Sequence, residues 1–397
     1  MTFSIEGALR QLIALPSVNP MGGAADMAVC YEHRVTAWLE DFFQRLGLPT
    51  CRQAVEEVAG VRRENILCRL DGDDSQQLLM WEVHQDTVPI NDMTIDPFAG
   101  EVRDGRLYGR GACDVKGGMV AMLAALERLA RQRPTGRPTI VLACTVNEEF
   151  GFSGARRLAD SWRSAETDAF LPRAPDACIV AEPTDLNVVV AHKGAVRWRM
   201  RTSGRAAHSS QPERGDNAIY KAGRLIQKLE QYQREIVGDL AHDDLCGRPT
   251  LVVSTIRGGV GINLVPEQCM LEIDRRLVPG ESPTQARKHL IDWLASRVDL
   301  DFPIQHDEPF MVSAGLARDK NAGLAGQLAL HAATFGGGRE LGVPYGTDAE
   351  SISAAGVPTV VFGPGSISQA HTADEWIELA EVEQAAEILY CLACAFA

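Results

Sequence analysis

From residue 63 to 183 the sequence alternates β-type apolar runs with a helical stretch, a pattern that commits a chain to a layered α/β architecture. The runs ENILCRL (64–70), LLMWEVH (78–84), TIVLACTV (139–146) and ACIVAE (177–182) read as strands. Between them, GGMVAMLAALERLARQ (117–132) has helical spacing and a glycine-rich start. A further strand, PTVVFG (358–363), comes near the C-terminus and is followed by a helix from about 380 to the end. The N-terminal stretch spaces Phe3, Ala8, Leu12 and Leu15 as an amphipathic helix does and carries Glu6 within it, unlike the apolar segment of an export signal.

A different texture separates these two parts. Strand-like VVVAHKGAVRWRMRTSG (188–204) leads to a helix, DNAIYKAGRLIQKLEQYQ, then to strands TLVVSTIRG and QCMLEIDRRLV, then to a helix, SPTQARKHLIDWLASRV. That order suits one antiparallel sheet with two helices. The expected fold is therefore α/β: a discontinuous domain with a mixed, mostly parallel sheet flanked by helices (1–186 and 303–397), interrupted by an α+β sandwich (187–302). A chain of 397 residues with 45% hydrophobic and 23% charged residues can fill two such cores.

Composition removes several function classes. A formal net charge of -14 argues against a nucleic-acid partner, because phosphate binding needs a basic face. No stretch reaches the roughly 18 uninterrupted apolar residues of a membrane span. The 10 cysteines are scattered, and without an export signal they read as reduced thiols of a soluble, cytoplasmic chain. The pair Cys391 and Cys394 sits in an apolar helical run and reads as packing. GxSxG, HExxH and Walker A signatures are absent from the sequence, so serine hydrolase and nucleotide enzyme fit poorly.

The chemistry lies where polar residues follow the apolar runs. Trp81 to Val83 end at His84, with Asp86 two residues on; Val141 to Val146 end at Asn147, Glu148 and Glu149; Ile179 to Ala181 end at Glu182. In open α/β sheets ligands bind outside the carboxyl ends of the strands, so these side chains can converge on one crevice. The loop GRGACDVKGG adds Asp114 before a helix, and SQAHTADEW adds His371 after the last strand. Histidines and carboxylates without a cysteine suit divalent ions, zinc first, with cobalt or manganese also possible. Two histidines and three carboxylates are enough for two metals if one carboxylate bridges. Glu148 and Glu149 need a loop if they are to do separate jobs, since strand neighbours point to opposite faces; Gly151 and Gly154 supply one. A solvated acidic pair is the ordinary alternative for such neighbours.

HQDTV around His84, GRGACDVKGG around Asp114, NEEFGFSGA, AEPT at Glu182 and QAH at His371 together resemble the M20 metallopeptidase and deacylase family, in its order and over nearly the whole chain. EPTDLNVVVAHKG, GRAAHSSQPERGDNAI and FGPGSISQAHTADEW are similar to its branch that deacetylates N-acetylornithine. The resemblance implies that His84, Asp114 and Glu182 hold one metal and Asp114, Glu149 and His371 the other, with Asp114 bridging. Asp86 would accept a hydrogen bond from the His84 imidazole and fix its tautomer. Glu148 would be the general base that moves the water proton to the leaving nitrogen. His208 in GRAAHSSQP would stabilise the oxyanion, acting in the active site of a second copy across a homodimer made by the inserted domain; a surface-loop histidine is the alternative. Asn263 and Arg276 match positions that touch substrate, Arg276 having the planar fork for an α-carboxylate, although a surface ion pair accounts for it nearly as well; Gly346 and Thr347 in YGTDAES are candidates to line the site, Thr347 the better one for a polar contact. His192, Lys193 and the other histidines carry no partner pattern and read as structural. The expected substrate is a small N-acyl amino acid. Desuccinylation of succinyl-diaminopimelate, aminoacylase and small-peptide carboxypeptidase activities share the scaffold, and a non-catalytic binding protein would show a missing base or ligand.

Overall fold

The strand Pro138–Thr145 is buried at every position, which explains its unbroken apolar sequence: a strand inside a sheet covered on both faces has no solvent side. In the protein, a computed structural model describing residues 3–163 and 170–396, it lies inside an eight-stranded mixed sheet. Pro138–Thr145, Asp74–His84, Ala177–Val180 and Thr359–Val361 run parallel to one another at the centre. Antiparallel neighbours flank them, Val61–Leu70 and Thr50–Val58 on one side and Val188–His192 on the other. Glu340–Val343 forms the far edge. The α/β reading of a mixed sheet with a parallel centre is thereby confirmed.

The register carries the functional consequence. His84 pairs with Thr145 and Glu82 with Val180, so the carboxyl ends of the parallel strands finish along one edge of the sheet. The residues that follow them, Asp86, Asn147 to Glu149 and Glu182, start from that edge. Helix Gly117–Gln132 and the C-terminal helix Leu379–Ala395 share one hydrophobic core with the sheet, through Val120, Leu123 and Leu126 on one and Val382, Leu389 and Leu392 on the other. Ser4 caps the N-terminal helix Ile5–Ile13 by accepting from the Gly7 amide at 3.1 Å.

By contact, the chain divides into two compact units: Met1–Val190, Arg318–Leu341 and Thr347–Ala397 form the first, and Ala191–Ala317 with Gly342–Gly346 the second. The second unit holds an antiparallel sheet in the order Thr250–Gly258, Gln268–Leu277, Gly194–Ser203, Ile304–His306, with Met311–Ser313 also pairing Gly194–Ser203. One face packs Val196, Trp198, Met200, Leu271 and Ile273 against Leu225 and Leu229 of helix Ala218–Tyr232 and Leu290 and Leu294 of helix Pro283–Ala295. The alternate positions carry charge and pair across strands, Arg197 with Asp274 at 3.1 Å and Arg199 with Glu272 at 3.0 Å. The stretch 188–204 is two strands rather than one, broken at Lys193.

Candidate metal centre

His84 ends its strand almost fully buried. Its Nδ1 lies 3.0 Å from the backbone oxygen of Asp86, an atom that can only accept, so Nδ1 carries the proton and Nε2 is left to face the site. There Nε2 meets Asp114 Oδ1 at 3.1 Å and Glu182 Oε1 at 3.8 Å. Burial disfavours an imidazolium, but the hydrogen bond to Asp114 and the charges of Glu182 and Glu148 outweigh it and raise the His84 pKa well above its ordinary value.

Asp114 sits between two imidazoles. Its Oδ2 lies 3.2 Å from His371 Nε2, so each oxygen of one carboxylate faces a different histidine. Burial pushes its pKa up, yet the two histidine contacts hold it well below the usual carboxylate range. His371 Nε2 is also 3.4 Å from Glu149 Oε2, and bonds to Asp114 and Glu149 raise its pKa to about 10. His84, Asp114 and Glu182, and separately Asp114, Glu149 and His371, each bring three ligand atoms within 4.8 Å of one another. Both groups use oxygen and imidazole nitrogen alone.

The remaining acids show how crowded this edge is. Glu149 is pushed up to about 7 by burial and the Asp114 charge, and its Oε1 is buried without a hydrogen-bond partner. Burial, then the charge of Glu182, raises Glu148; burial, then Asp114, raises Glu182. Beneath them Glu82 and Asp348 both bond the Thr145 hydroxyl. A hydroxyl donates one proton, so one of the two carboxyls must supply the other; burial, then the Asp348 charge, raises Glu82, and burial, with the Asp86 charge, raises Asp348 to about 7.

The turn bearing Glu148 and Glu149 is set by Asn147, in the left-handed region at φ 66°, whose backbone oxygen accepts from Phe152 at 2.7 Å. Gly154 is required there, because a Cβ would lie 2.3 Å from the Val146 oxygen. Asp86 behaves differently from the sequence expectation. Its carboxylate is 3.7 Å from His84 Nδ1, too far for a hydrogen bond, and accepts from the Glu148 amide at 3.1 Å, the Glu149 amide at 3.2 Å and Asn19 Nδ2 at 2.8 Å. Three donors on the glutamate turn and the N-terminal segment draw it away from the ring, and the Asp86 backbone oxygen orients the imidazole in its place.

The other sequence candidates lie as follows. His208, Asn263 and Arg276 belong to the second unit. His208 is exposed, with Nδ1 2.7 Å from Ser210 Oγ, and its segment bridges to Leu264 while the Ser209 amide donates to the Asn263 oxygen at 3.0 Å. Arg276 Nε pairs with Asp274 at 3.1 Å. Thr347, in the first unit, is buried, and its hydroxyl accepts from the Ala349 amide at 3.2 Å. Asn19 and Glu375 were missed by sequence reasoning: both are buried, both hold loops of this centre, and neither shows a local signal, since their partners are remote in sequence.

Comparison with known proteins agrees with this geometry. Residues 80–395 match peptidase family M20/M25/M40. Acetylornithine deacetylase of Myxococcus xanthus is 30% identical over 346 residues, 86% of this chain and 87% of that one. Among solved structures, an M20-family metallo-carboxypeptidase from Sulfolobus solfataricus superimposes with a TM-score of 0.78 at 17% identity, covering 99% of both chains. A tripeptidase from Staphylococcus aureus gives 0.76 at 22% identity over 98% of both chains. With a family match over most of its length and a relative at that identity, the chain belongs to peptidase family M20/M25/M40, hydrolases that cut amide bonds.

Proposed function

We propose that this hydrolase uses two divalent ions to remove the acyl group from a small N-acyl amino acid, N-acetylornithine first among them. The observation that carries the metal reading is Asp114, one buried carboxylate whose two oxygens face His84 and His371 separately. The residues fit such ions: the donors are oxygen and imidazole only, and Glu149 keeps a buried oxygen without a partner. His84, Asp114 and Glu182 would hold one ion, Asp114, Glu149 and His371 the other, zinc being the best match and cobalt or manganese alternatives. Bound there, the ions would lower the pKa of water to about 7 and polarise the scissile carbonyl.

Glu148 belongs to neither triad and is buried beside both. It takes a proton from the attacking water and delivers it to the leaving nitrogen. Asp86 holds the turn from which it does so. Asn263, Arg276 and Thr347 are assigned to substrate, Arg276 to its α-carboxylate. His208 is assigned to the oxyanion of a second copy's site. Support for a homodimer comes from the edge strand Thr250–Gly258, where Val252 and Ile256 are exposed, and from the following loop, where Val260 is 93% exposed. Among the described residues the ten cysteines form no disulfide, which is consistent with a reducing cytoplasm. Among the described residues no helix is long and apolar enough to cross a membrane.

The acetylornithine preference rests on the Myxococcus xanthus relative. Steady-state rates on N-acetylornithine, N-succinyl-diaminopimelate, N-acetylmethionine and a dipeptide test it. The highest kcat/KM is expected on N-acetylornithine; good turnover of another member with none on acetylornithine refutes the preference, and full activity after exhaustive chelation refutes the metal reading.

A further inference from the structure

We infer that Glu375 is a positioning residue that locks the loops carrying Asp114 and His371 together and so shapes the second triad. Its side chain is fully buried and accepts four hydrogen bonds. Oε2 takes Arg110 Nη1 at 2.7 Å and the Gly111 amide at 3.0 Å; Oε1 takes the Cys113 and Asp114 amides, each at 2.9 Å. Three backbone donors within four residues converge on one carboxylate because Gly111 turns the loop at φ 84°, a conformation in which a Cβ would also strike Thr87 at 2.7 Å. The Glu375 backbone adds a further tie, its oxygen accepting from the Gly109 amide at 2.9 Å.

The two loops are far apart in sequence, yet each supplies a ligand. Asp114 is bonded to Glu375 through its own amide, and His371 lies four residues before Glu375 on the same segment. Displacing one loop against the other would therefore break the clamp and separate Asp114 Oδ2 from His371 Nε2, now 3.2 Å apart. Metal ligands tolerate errors of only about 0.2 Å, so a single buried carboxylate with this reach sets affinity as well as packing. A merely structural carboxylate would influence folding stability alone.

This inference rests on the two-metal reading, and its test separates the two. Metal-free wild type, Glu375→Gln and Arg110→Lys are titrated with Co2+, followed by calorimetry and by the visible absorption of the bound ion. The carboxamide of Glu375→Gln must turn its NH2 toward one pair of donors, losing at least one bond. Wild type is expected to bind two Co2+; Glu375→Gln is expected to bind the second about 10–100-fold more weakly with an altered spectrum, as loss of a supporting group does at other metal sites. Arg110→Lys, which keeps the charge and loses the fork, should shift in the same direction by less, and it decides the matter if Glu375→Gln does not fold. Two Co2+ bound by the variants with wild-type affinity and spectrum, and only a lower melting temperature, would overturn the positioning role. Fewer than two in wild type would remove the two-metal reading and this inference with it.

Discussion

Replacing Asp86 by Asn separates two ways in which that residue can serve the site. Its Oδ1 accepts from the Glu148 amide, while Oδ2 accepts from the Glu149 amide and Asn19 Nδ2. An asparagine placing its one carbonyl oxygen at the Oδ2 position keeps two bonds and turns NH2 against the Glu148 amide; the flipped rotamer loses two. The better rotamer leaves one buried donor unsatisfied, which costs about 1–3 kcal/mol. Loss of a negative charge from a cluster containing Glu148, Glu149 and Glu182 offsets part of this. The unmet amide is that of Glu148 itself, so the base shifts. Since misplacement of a reacting group by about 1 Å can lower rates about 100-fold, kcat should fall about 10- to 100-fold. Metal affinity should hold, because the His84 ring is oriented by the Asp86 backbone oxygen, which the substitution leaves in place. Steady-state kinetics at saturating metal, with a parallel calorimetric titration, measure both. If the variant binds metal poorly and regains wild-type kcat when metal is saturating, Asp86 acts through the imidazole and its hold on the Glu148 turn is refuted as the source of the effect.

Glu148→Gln keeps the shape of the side chain and removes its proton-carrying capacity; kcat should drop about 100- to 10,000-fold while two ions still bind, and residual activity near wild type would refute the base assignment. Metal-free protein should lose stability as pH rises. Glu149, raised to about 7 by burial and Asp114, retains a proton when folded from pH 4.5 to about 7, and His371 does so from 6.5 to about 10; in both windows the unfolded chain has released it. Bound cations would replace those protons, so the melting-temperature gap between metal-loaded and metal-free protein should widen across these windows, and a gap that narrows by scanning fluorimetry contradicts the assignment. Mixing His208→Ala with Glu148→Ala under subunit exchange should restore hydrolysis if His208 acts in trans; a mixture as inactive as its parents rejects the trans arrangement.

The parts of the fold that announce themselves in sequence are those buried on both faces. Pro138–Thr145 and the 78–84 part of Asp74–His84 read as apolar runs because solvent touches neither side of them, and the polar residues of the site follow where these strands leave the sheet. The edge strand Thr50–Val58 gave no such sign: Arg52, Glu56 and Glu57 interrupt it, and only Gln53 is buried. Nor does 188–204 betray its break at Lys193, since both halves are β-like. The gathering of His84, Asp114, Glu149, Glu182 and His371 was read from strand-end placement together with the ordered motifs of the family resemblance. The groups that hold them did not, because Asn19 reaches Asp86 and Glu375 reaches Asp114 across long stretches of chain, and an isolated Asn or Glu in a loop has no pattern to read. Asp86 was assigned to the ring by its spacing from His84. Which of its oxygens meets which donor depends on a turn from another strand.

The acids along this edge divide by what neutralises them, and the division explains why so many can be buried together. Glu32 is met by the Arg63 guanidinium, and Glu375 by Arg110 and three amides. Asp86 is met by two amides and a carboxamide. Glu82 and Asp348 share the Thr145 hydroxyl and need a proton between them. Glu32, Glu375 and Asp86 thus have answers built from the chain itself, and the Glu82 and Asp348 pair is answered by a hydroxyl and a retained proton. Glu148, Glu149 and Glu182 have none of comparable strength: they face imidazoles and one another, and burial raises all three. A buried carboxylate left in that condition is expensive unless a positive charge comes from outside the chain. On that ground two of the three, Glu149 and Glu182, would fall to cations together with Asp114 and the histidines, as proposed above. Glu148, outside both triads, would then be left to exchange protons with substrate, and its raised affinity for a proton suits a group that must first take one from water and then hold it long enough to hand it to nitrogen.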